Sequence, residues 1–297
     1  MKILLIVNTH AAHGRAGKLL PEIETYLGKK EIEYELHVTE YPGHALELLK
    51  TMSVASFDGI VACGGDGTMF EAVNGYFNNT SGKKPPLGVL PIGTGNAFAR
   101  ELGMNLTNWK KAIDIIANGK TKPVDVGHFK TADQEFYFVN ILGFGFVADV
   151  ARSAHRLKVI GNIAYSLAVF YQLIRLQPFR LQIEWDGKTL ERDNIFVEIS
   201  NTKFTGVNFM MAPHAIIDDG LLDITLLNKC TRRRVIKLFP TIFKGEHIKH
   251  PEVETFQAQK IRMETDIPKV LTPDGELLGS TPIEVTCLKQ ALQTFIE

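Results

Sequence analysis

Three cysteines in 297 residues are too few and too scattered to build a disulfide framework. Cys63, Cys230 and Cys287 form no CxxC or Cys/His metal spacing. They read as reduced core cysteines, which makes a cytoplasmic protein the default expectation. Charge of one sign is missing as well: Lys plus Arg and Asp plus Glu both number 33, so the formal net charge is zero. Nucleic acid is therefore not an expected partner, and attraction to anionic lipid needs a local basic patch. Long apolar runs are scarce. IAYSLAVFYQLI, residues 163–174, is too short to span a bilayer and contains Gln172. MKILLIVNTH lacks the cleavage pattern of a secretory leader. Any membrane contact is expected to be peripheral.

What is present in the first 120 residues is a regular alternation of strand-like and helix-like runs. KILLIV (2–7) reads as a strand buried on both faces, and YELHV (34–38), GIVAC (59–63) and LGVL (87–90) read as three more strands. Helical stretches follow them at 18–27, 43–52, 69–77 and 97–102, with another at 108–118 ended by Gly119. That order implies a doubly wound, mostly parallel sheet with helices on both faces. From about Pro123 the pattern changes. Strands dominate at 124–130, 135–142, 180–185, 194–200, 221–227 and 253–264, interrupted by helical segments at 150–176 and 232–244, the second broken at Pro240. The reading is α/β: a nucleotide-binding α/β domain over 1–122, then a β-rich, mainly antiparallel domain over 123–285. Residues 286–297 are candidates to return to the first domain.

Two glycine loops carry the chemistry. In CGGDGTMFEAVNG a strand runs into Gly64-Gly65-Asp66-Gly67-Thr68 and a helix begins, with Thr68 and Glu71 spaced as a capping box. GVLPIGTGNAFARELG repeats the design, with Asn96 near the helix cap. Glycines let the backbone approach a ligand, and a helix N-terminus offers free N–H groups to a phosphate. In a parallel sheet both loops lie at the carboxyl ends of their strands, where ligands of such folds bind. Asp66 amid the glycines suits a phosphate only if a metal or hydroxyl shares the site, which points to Mg-nucleotide chemistry; a hydrogen bond within the loop is its plainer role. HGRAGKLL lacks the Walker spacing, and GFGFVA at Gly143 does not match the redox fingerprint.

Two Asp-Gly pairs, in EWDGKTLE (184–191) and TPDGELLG (272–279), predict tight hairpins. In TRRRVIKLFPTIFKGEHIKHP, Arg232, Arg233, Arg234 and Lys237 lie beside Val235, Ile236, Leu238, Phe239 and Phe243, as in an interfacial helix or a solvated basic face over a core. RSAHRLKV (152–159) has the same two readings.

Taken in order, GGDGTMFEAVNG, LPIGTGNAFAR, APHAIIDDGLLDI and PDGELL resemble the diacylglycerol kinase catalytic family over nearly the whole chain. The soluble bacterial lipid kinases are the nearest type, sphingosine kinases are relatives, and NAD kinases, which share GGDGT, are more distant. The resemblance implies an NAD-kinase-like first domain, a C-terminal β-sandwich domain with the active site between the two, and ATP-dependent phosphorylation of a lipid hydroxyl such as that of diacylglycerol. It assigns ATP contacts to Asn8, Thr39, Gly65, Asp66, Gly67, Thr68, Met69, Phe70, Glu71 and Thr94. It assigns a structural Mg²⁺ to Asp219 with the carbonyls of Ile216 and Leu221, and the essential acid to Glu276 with Asp274 beside it. The setting it implies is cytoplasmic, peripheral at the inner membrane surface, with contact through the segment from Arg232; an exposed sheet edge would let two copies pair as a homodimer. The chain departs from the family at Thr9, at Ala97 and over 201–213, where Gly206 is the single glycine. Two alternatives stay in view: a soluble-substrate kinase of the NAD kinase kind, on the shared GGDGT, and a nucleotide-binding regulator without turnover, on those departures.

Overall fold

A computed structural model describes residues 1–297 except 105–107, 147, 151, 153–171, 173, 174, 207 and 208. The chain divides into two compact units, Met1–Val126 with Lys289–Glu297, and Gly127–Leu288.

The first unit is built on four parallel strands, β1 (Lys2–Val7), β2 (Glu33–Val38), β3 (Gly59–Gly64) and β4 (Leu87–Pro91), in the order β2-β1-β3-β4. Every residue of β3 and β4 is buried, as the unbroken apolar runs require of strands covered on both faces. The intervening helices are α1 (Arg15–Lys29), α2 (His44–Thr51) and α3 (Asp66–Asn78), followed by α4 (Ala97–Glu101) and α5 (Trp109–Asn118). The last of these starts and stops as its sequence dictates: the Asn108 side chain accepts from Lys111 N–H, and Gly119 closes it at φ 68°. The chain terminus completes this unit. Thr294 Oγ1 donates to the Leu87 carbonyl at 2.8 Å, and Gln290 N–H donates to Asp125 at 2.6 Å.

The second unit is antiparallel. Its strands are β5 (Thr121–Lys130, which enters from the first unit), β6 (Glu135–Phe138), β7 (Ile141–Gly145), β8 (Phe179–Trp185), β9 (Lys188–Ser200), the short pair β10 (Phe204–Thr205) and β11 (Phe209–Met210), β12 (Leu222–Asn228), β13 (Val253–Ala258), β14 (Lys260–Thr265), β15 (Leu271–Pro273) and β16 (Ile283–Phe295). The long β9 pairs β8 along its first half and β12 and β7 along its second. One core cluster of the unit has Phe129, Phe138, Phe144, Val197, Ile199, Leu226 and Ile261 among its members, and a second gathers Ile195, Phe196, Leu227, Val235 and Leu238.

Three sequence expectations change here. Residues 253–264 are two strands: β13 pairs β12, whereas β14 pairs β8 and β16, and the change of partner falls at Gln259, whose carbonyl accepts from Cys287 N–H. Residues 135–142 split into β6 and β7 at Val139 and Asn140, because a distant carboxylate takes their N–H groups. Cys63 and Cys287 are buried, but Cys230 is only partly so. The basic segment forms α6 (Arg232–Leu238), capped by Thr231, and tightens to a 3₁₀ helix over Phe239–Lys244 at Pro240. The expected helix over 150–176 and the RSAHRLKV stretch lie, but for a few positions, outside the described residues.

Candidate functional site

In the first unit the implicated residues gather at one edge of the sheet. Asn8 follows β1, Thr39 follows β2, Gly65 to Thr68 follow β3, and Thr94 follows β4, so they stand at the carboxyl ends of four adjacent parallel strands. The direction in which strands are added reverses between β1 and β3, and open α/β sheets bind ligands at such a switch point. Asn8 spans it, its Nδ2 donating to Thr68 Oγ1 at 3.2 Å.

The two glycine loops are packed against each other. A Cβ on Gly93 would lie 2.3 Å from the Gly65 Cα, so only glycine fits there, and one on Gly95 would lie 2.3 Å from Asp66 Oδ2 and would have to displace that carboxylate. The Asp66 carboxylate accepts from Ala97 N–H at 2.7 Å, tying the first loop to the start of α4. Burial pushes its pKa up to about 6, against the pull of the backbone N–H groups at 96–98. The first N–H groups of α3 have no acceptor within the helix, an arrangement of the kind that suits an anion.

The capping box expected of Thr68 and Glu71 is absent. α3 begins at Asp66 with no side-chain cap, which places Thr68 inside the first turn. Glu71 instead accepts from Gly43 N–H at 2.8 Å and Ala45 N–H at 3.1 Å, holding the start of α2. A partner 28 residues away outcompetes the local one. Met69 and Phe70 are buried in the core of this unit, and Met69 N–H is taken by the Gly65 carbonyl, while Thr94 is exposed.

In the second unit the TPDGELLG stretch forms a tight turn with positive φ at both central residues, Asp274 at 45° and Gly275 at 93°. Glu276 N–H closes it on the Pro273 carbonyl at 2.8 Å. The Asp274 carboxylate, 7 % exposed, accepts from three consecutive backbone N–H groups, Val139 at 3.1 Å and Asn140 and Ile141 at 2.9 Å. Its own N–H donates to the Ile141 carbonyl. Asp274 is thus an anchor that fixes the turn to β7, and it leaves the Glu276 carboxylate exposed.

Asp219 sits in the turn ahead of β12. Its Oδ1 accepts from Leu221 N–H at 2.9 Å, which folds the Leu221 backbone back beside the carboxylate. The Asp219 charge also helps to raise the pKa of Asp223, below burial in importance. A carboxylate with a second acid near it is the kind of hard oxygen donor that Mg²⁺ takes. Among the described residues no three His, Cys, Asp or Glu side chains cluster as a metal site.

A residue that motif reading missed is Glu198. It lies near the end of β9, 1 % exposed, in the wall of a largely apolar cavity formed with Phe196, Leu227, Val235, Leu238 and Phe239. Burial pushes its pKa up to about 7, opposed by hydrogen bonding from Thr205 and by Ser200. The available signal was one acid inside IFVEIS, where every neighbour is apolar or small.

Comparison with known proteins gives this geometry a family. The diacylglycerol kinase catalytic domain matches residues 2–129, and the YegS C-terminal NAD kinase beta sandwich-like domain matches residues 140–296. A diacylglycerol kinase of Mycobacterium tuberculosis is 31% identical over 98% of this chain and 94% of the relative. One from Bacillus subtilis is 32% identical over 85% of this chain and 82% of the relative. A solved Bacillus anthracis structure of the diacylglycerol kinase type superposes with a TM-score of 0.83 at 27% identity, covering 100% of this chain and 95% of the other. An Archaeoglobus fulgidus NAD kinase solved with ATP shares the fold alone, at a TM-score of 0.55 and 12% identity over 99% of this chain and 93% of the other. Matched along nearly its whole length by curated relatives named diacylglycerol kinase, and carrying both domains in order, the chain belongs to the diacylglycerol kinase family.

Proposed function

We propose that the protein transfers the γ-phosphoryl group of ATP to the free hydroxyl of diacylglycerol or a closely related lipid. The observation that carries this reading is the anchoring of Asp274 by three backbone N–H groups, which turns an ordinary hairpin into a rigid mount for Glu276. In the reaction the Glu276 carboxylate takes the lipid hydroxyl proton, the oxygen forms a bond to the γ-phosphorus, and the bond from that phosphorus to the departing ADP breaks.

The residues of the first unit supply positioning. Backbone N–H groups from Asp66 to Thr68 face the ATP phosphates. Asn8, Thr39 and Thr94 border the nucleotide, and Asp66 keeps the two loops in register. Asp219, with the carbonyls of Ile216 and Leu221, would hold Mg²⁺ as a structural ion; a Mg²⁺ bound with the nucleotide would offset phosphate charge.

The lipid is reached at a membrane surface. On α6 and the turn after it, Arg232, Arg233, Lys237 and Lys244 make no ion pair among the described residues, whereas Arg234 is held by Glu252 at 2.6 Å. Ile236 and Phe243 stand beside them 46% and 45% exposed, a basic and apolar face suited to an anionic leaflet. No helix among the described residues is long and apolar enough to cross a membrane. On this proposal the basic and apolar face lies on the inner membrane surface, from the cytoplasmic side.

The test is ADP release in mixed micelles with a panel of lipid alcohols. Turnover that depends on diacylglycerol supports the reading. ATP binding with no turnover on any lipid would replace it with a regulator.

A further inference from the structure

The backbone that holds Asp274, from Val139 to Ile141, is itself held from its other side. A peptide unit is planar, so its oxygen and its N–H turn together. The unit that joins Val139 to Asn140 has its N–H on Asp274 Oδ1 at 2.9 Å and its oxygen accepting from Asn201 Nδ2 at 2.9 Å. The next unit, from Asn140 to Ile141, has its N–H on the same Asp274 oxygen at 2.9 Å and its oxygen accepting from Asn201 N–H at 2.8 Å. Thr202 N–H also reaches that second oxygen, at 3.3 Å. Two successive planes are thus pinned at both ends, by Asp274 on the N–H side and by Asn201 on the oxygen side.

Asn201 comes directly after Ser200, the last residue of β9, which pairs with Ile141 of β7. Strand pairing therefore delivers it to the break between β6 and β7. Val139, Asn140 and Asn201 are all buried, so water is not at hand to replace a lost bond. The Asn201 side chain must present its amide nitrogen to Val139, because a carbonyl oxygen only accepts. Without that N–H the buried Val139 oxygen loses a donor, and the plane is driven to turn toward another. Its own N–H turns with it, away from Asp274. The Glu276 side chain is exposed, so it takes its position from the turn beneath it rather than from packing.

We propose that Asn201 is a positioning residue for phosphoryl transfer, setting the place of the Glu276 carboxylate through these two peptide planes and Asp274. This deepens the lipid kinase reading and rests on it. A general base must sit within hydrogen-bond reach of the hydroxyl it deprotonates, and a shift of about 1 Å from a remote change can cost on the order of a hundred-fold in rate. Asn201 makes its contribution without touching ATP or lipid, so its loss belongs in kcat and not in nucleotide affinity.

The experiment is a double-mutant cycle between Asn201 and Glu276. Asn201→Leu keeps the branch at Cγ and removes the donor; Asn201→Asp keeps the shape and sets an oxygen where the N–H stood. Each is made in wild type and in Glu276→Gln, and diacylglycerol-dependent ADP release, ATP affinity and thermal melts are measured. In wild type each is expected to lower kcat by roughly ten- to hundred-fold with ATP affinity within about two-fold. In Glu276→Gln the same change is expected to lower the residual turnover by less than about two-fold, because the group it positions is already gone. Turnover near wild type in a folded Asn201 variant, an equal loss in both backgrounds, or no cooperative melt in either variant overturns the proposal. If wild type releases no ADP with diacylglycerol, the kinase reading fails by itself, and hydrogen exchange still decides whether Asn201 holds the turn. Segments 139–141 and 274–276 then exchange about ten-fold faster in the variants if it does, and at the wild-type rate if it does not.

Discussion

Two Asp-Gly turns in one chain have the same backbone and different uses. Asp186 and Gly187 join β8 to β9 with φ of 48° and 73°, much as Asp274 and Gly275 have 45° and 93°. Trp185 pairs with Lys188 across the first, and Glu276 N–H closes on Pro273 in the second. The dipeptide sets the turn in both cases. The difference lies in the carboxylates. Asp186 is exposed and makes no hydrogen bond among the described residues, whereas Asp274 is buried and accepts from three backbone N–H groups more than 130 residues away in sequence. The residue that follows differs too, Lys188 in the first and Glu276 in the second. A turn becomes a mount for a functional group when its side chain is tied into the fold.

The contrast between the turns is erased most directly at the anchors. Asp274→Ala strands three buried N–H groups and is expected to cost about 3–5 kcal/mol in urea unfolding of the second unit. The next effect is a pH dependence that separates a buried acid from an exposed one. Glu198 titrates near 4.5 when unfolded and about 7 when folded, so the folded state binds the extra proton across that window. Its contribution to stability is therefore largest below pH 4.5 and falls as pH rises to about 7, by roughly 3 kcal/mol at most. Glu198→Gln should flatten the profile of unfolding free energy over that window, and Asp186→Asn should not alter it. A smaller effect concerns what the twins share: Gly187→Ala and Gly275→Ala both place an L-residue at positive φ in open space, and each should cost about 1 kcal/mol by thermal melt. Smallest of all, Asp186→Asn keeps a residue that tolerates positive φ and should change stability by less than about 0.5 kcal/mol.

What the sequence disclosed follows from how local each feature is. Apolar runs and glycine punctuation sufficed for β1, β3 and β4, because burial on both faces leaves a continuous signature in each short run, whereas β2 has no buried residue and was legible from its place in the alternation. The Asp-Gly pairs sufficed for both turns, since φ > 0 is a demand on those two residues alone. The capping box at Thr68 and Glu71 failed because a glutamate with long-range N–H donors at Gly43 and Ala45 has no reason to turn back on its own helix. The break between β6 and β7 was hidden for the same reason: the acceptor for Val139 and Asn140 lies in another hairpin. Glu198 and Asn201 were illegible because neither belongs to a motif. Only strand pairing brings Asn201 to the Val139 carbonyl, 62 residues away in sequence.

If the anchored turn exists to present Glu276 to a lipid hydroxyl, removing that one charge must stop the chemistry and spare the fold. The decisive measurement is diacylglycerol-dependent ADP release from Glu276→Gln beside wild type, with the melting temperature and ATP affinity of each measured in parallel. Turnover at saturating lipid should fall by roughly a hundred-fold to ten-thousand-fold, the range for loss of a general base, with melting temperature and ATP affinity unchanged. A Glu276→Gln protein that turns over within a few-fold of wild type would contradict the role given to the turn.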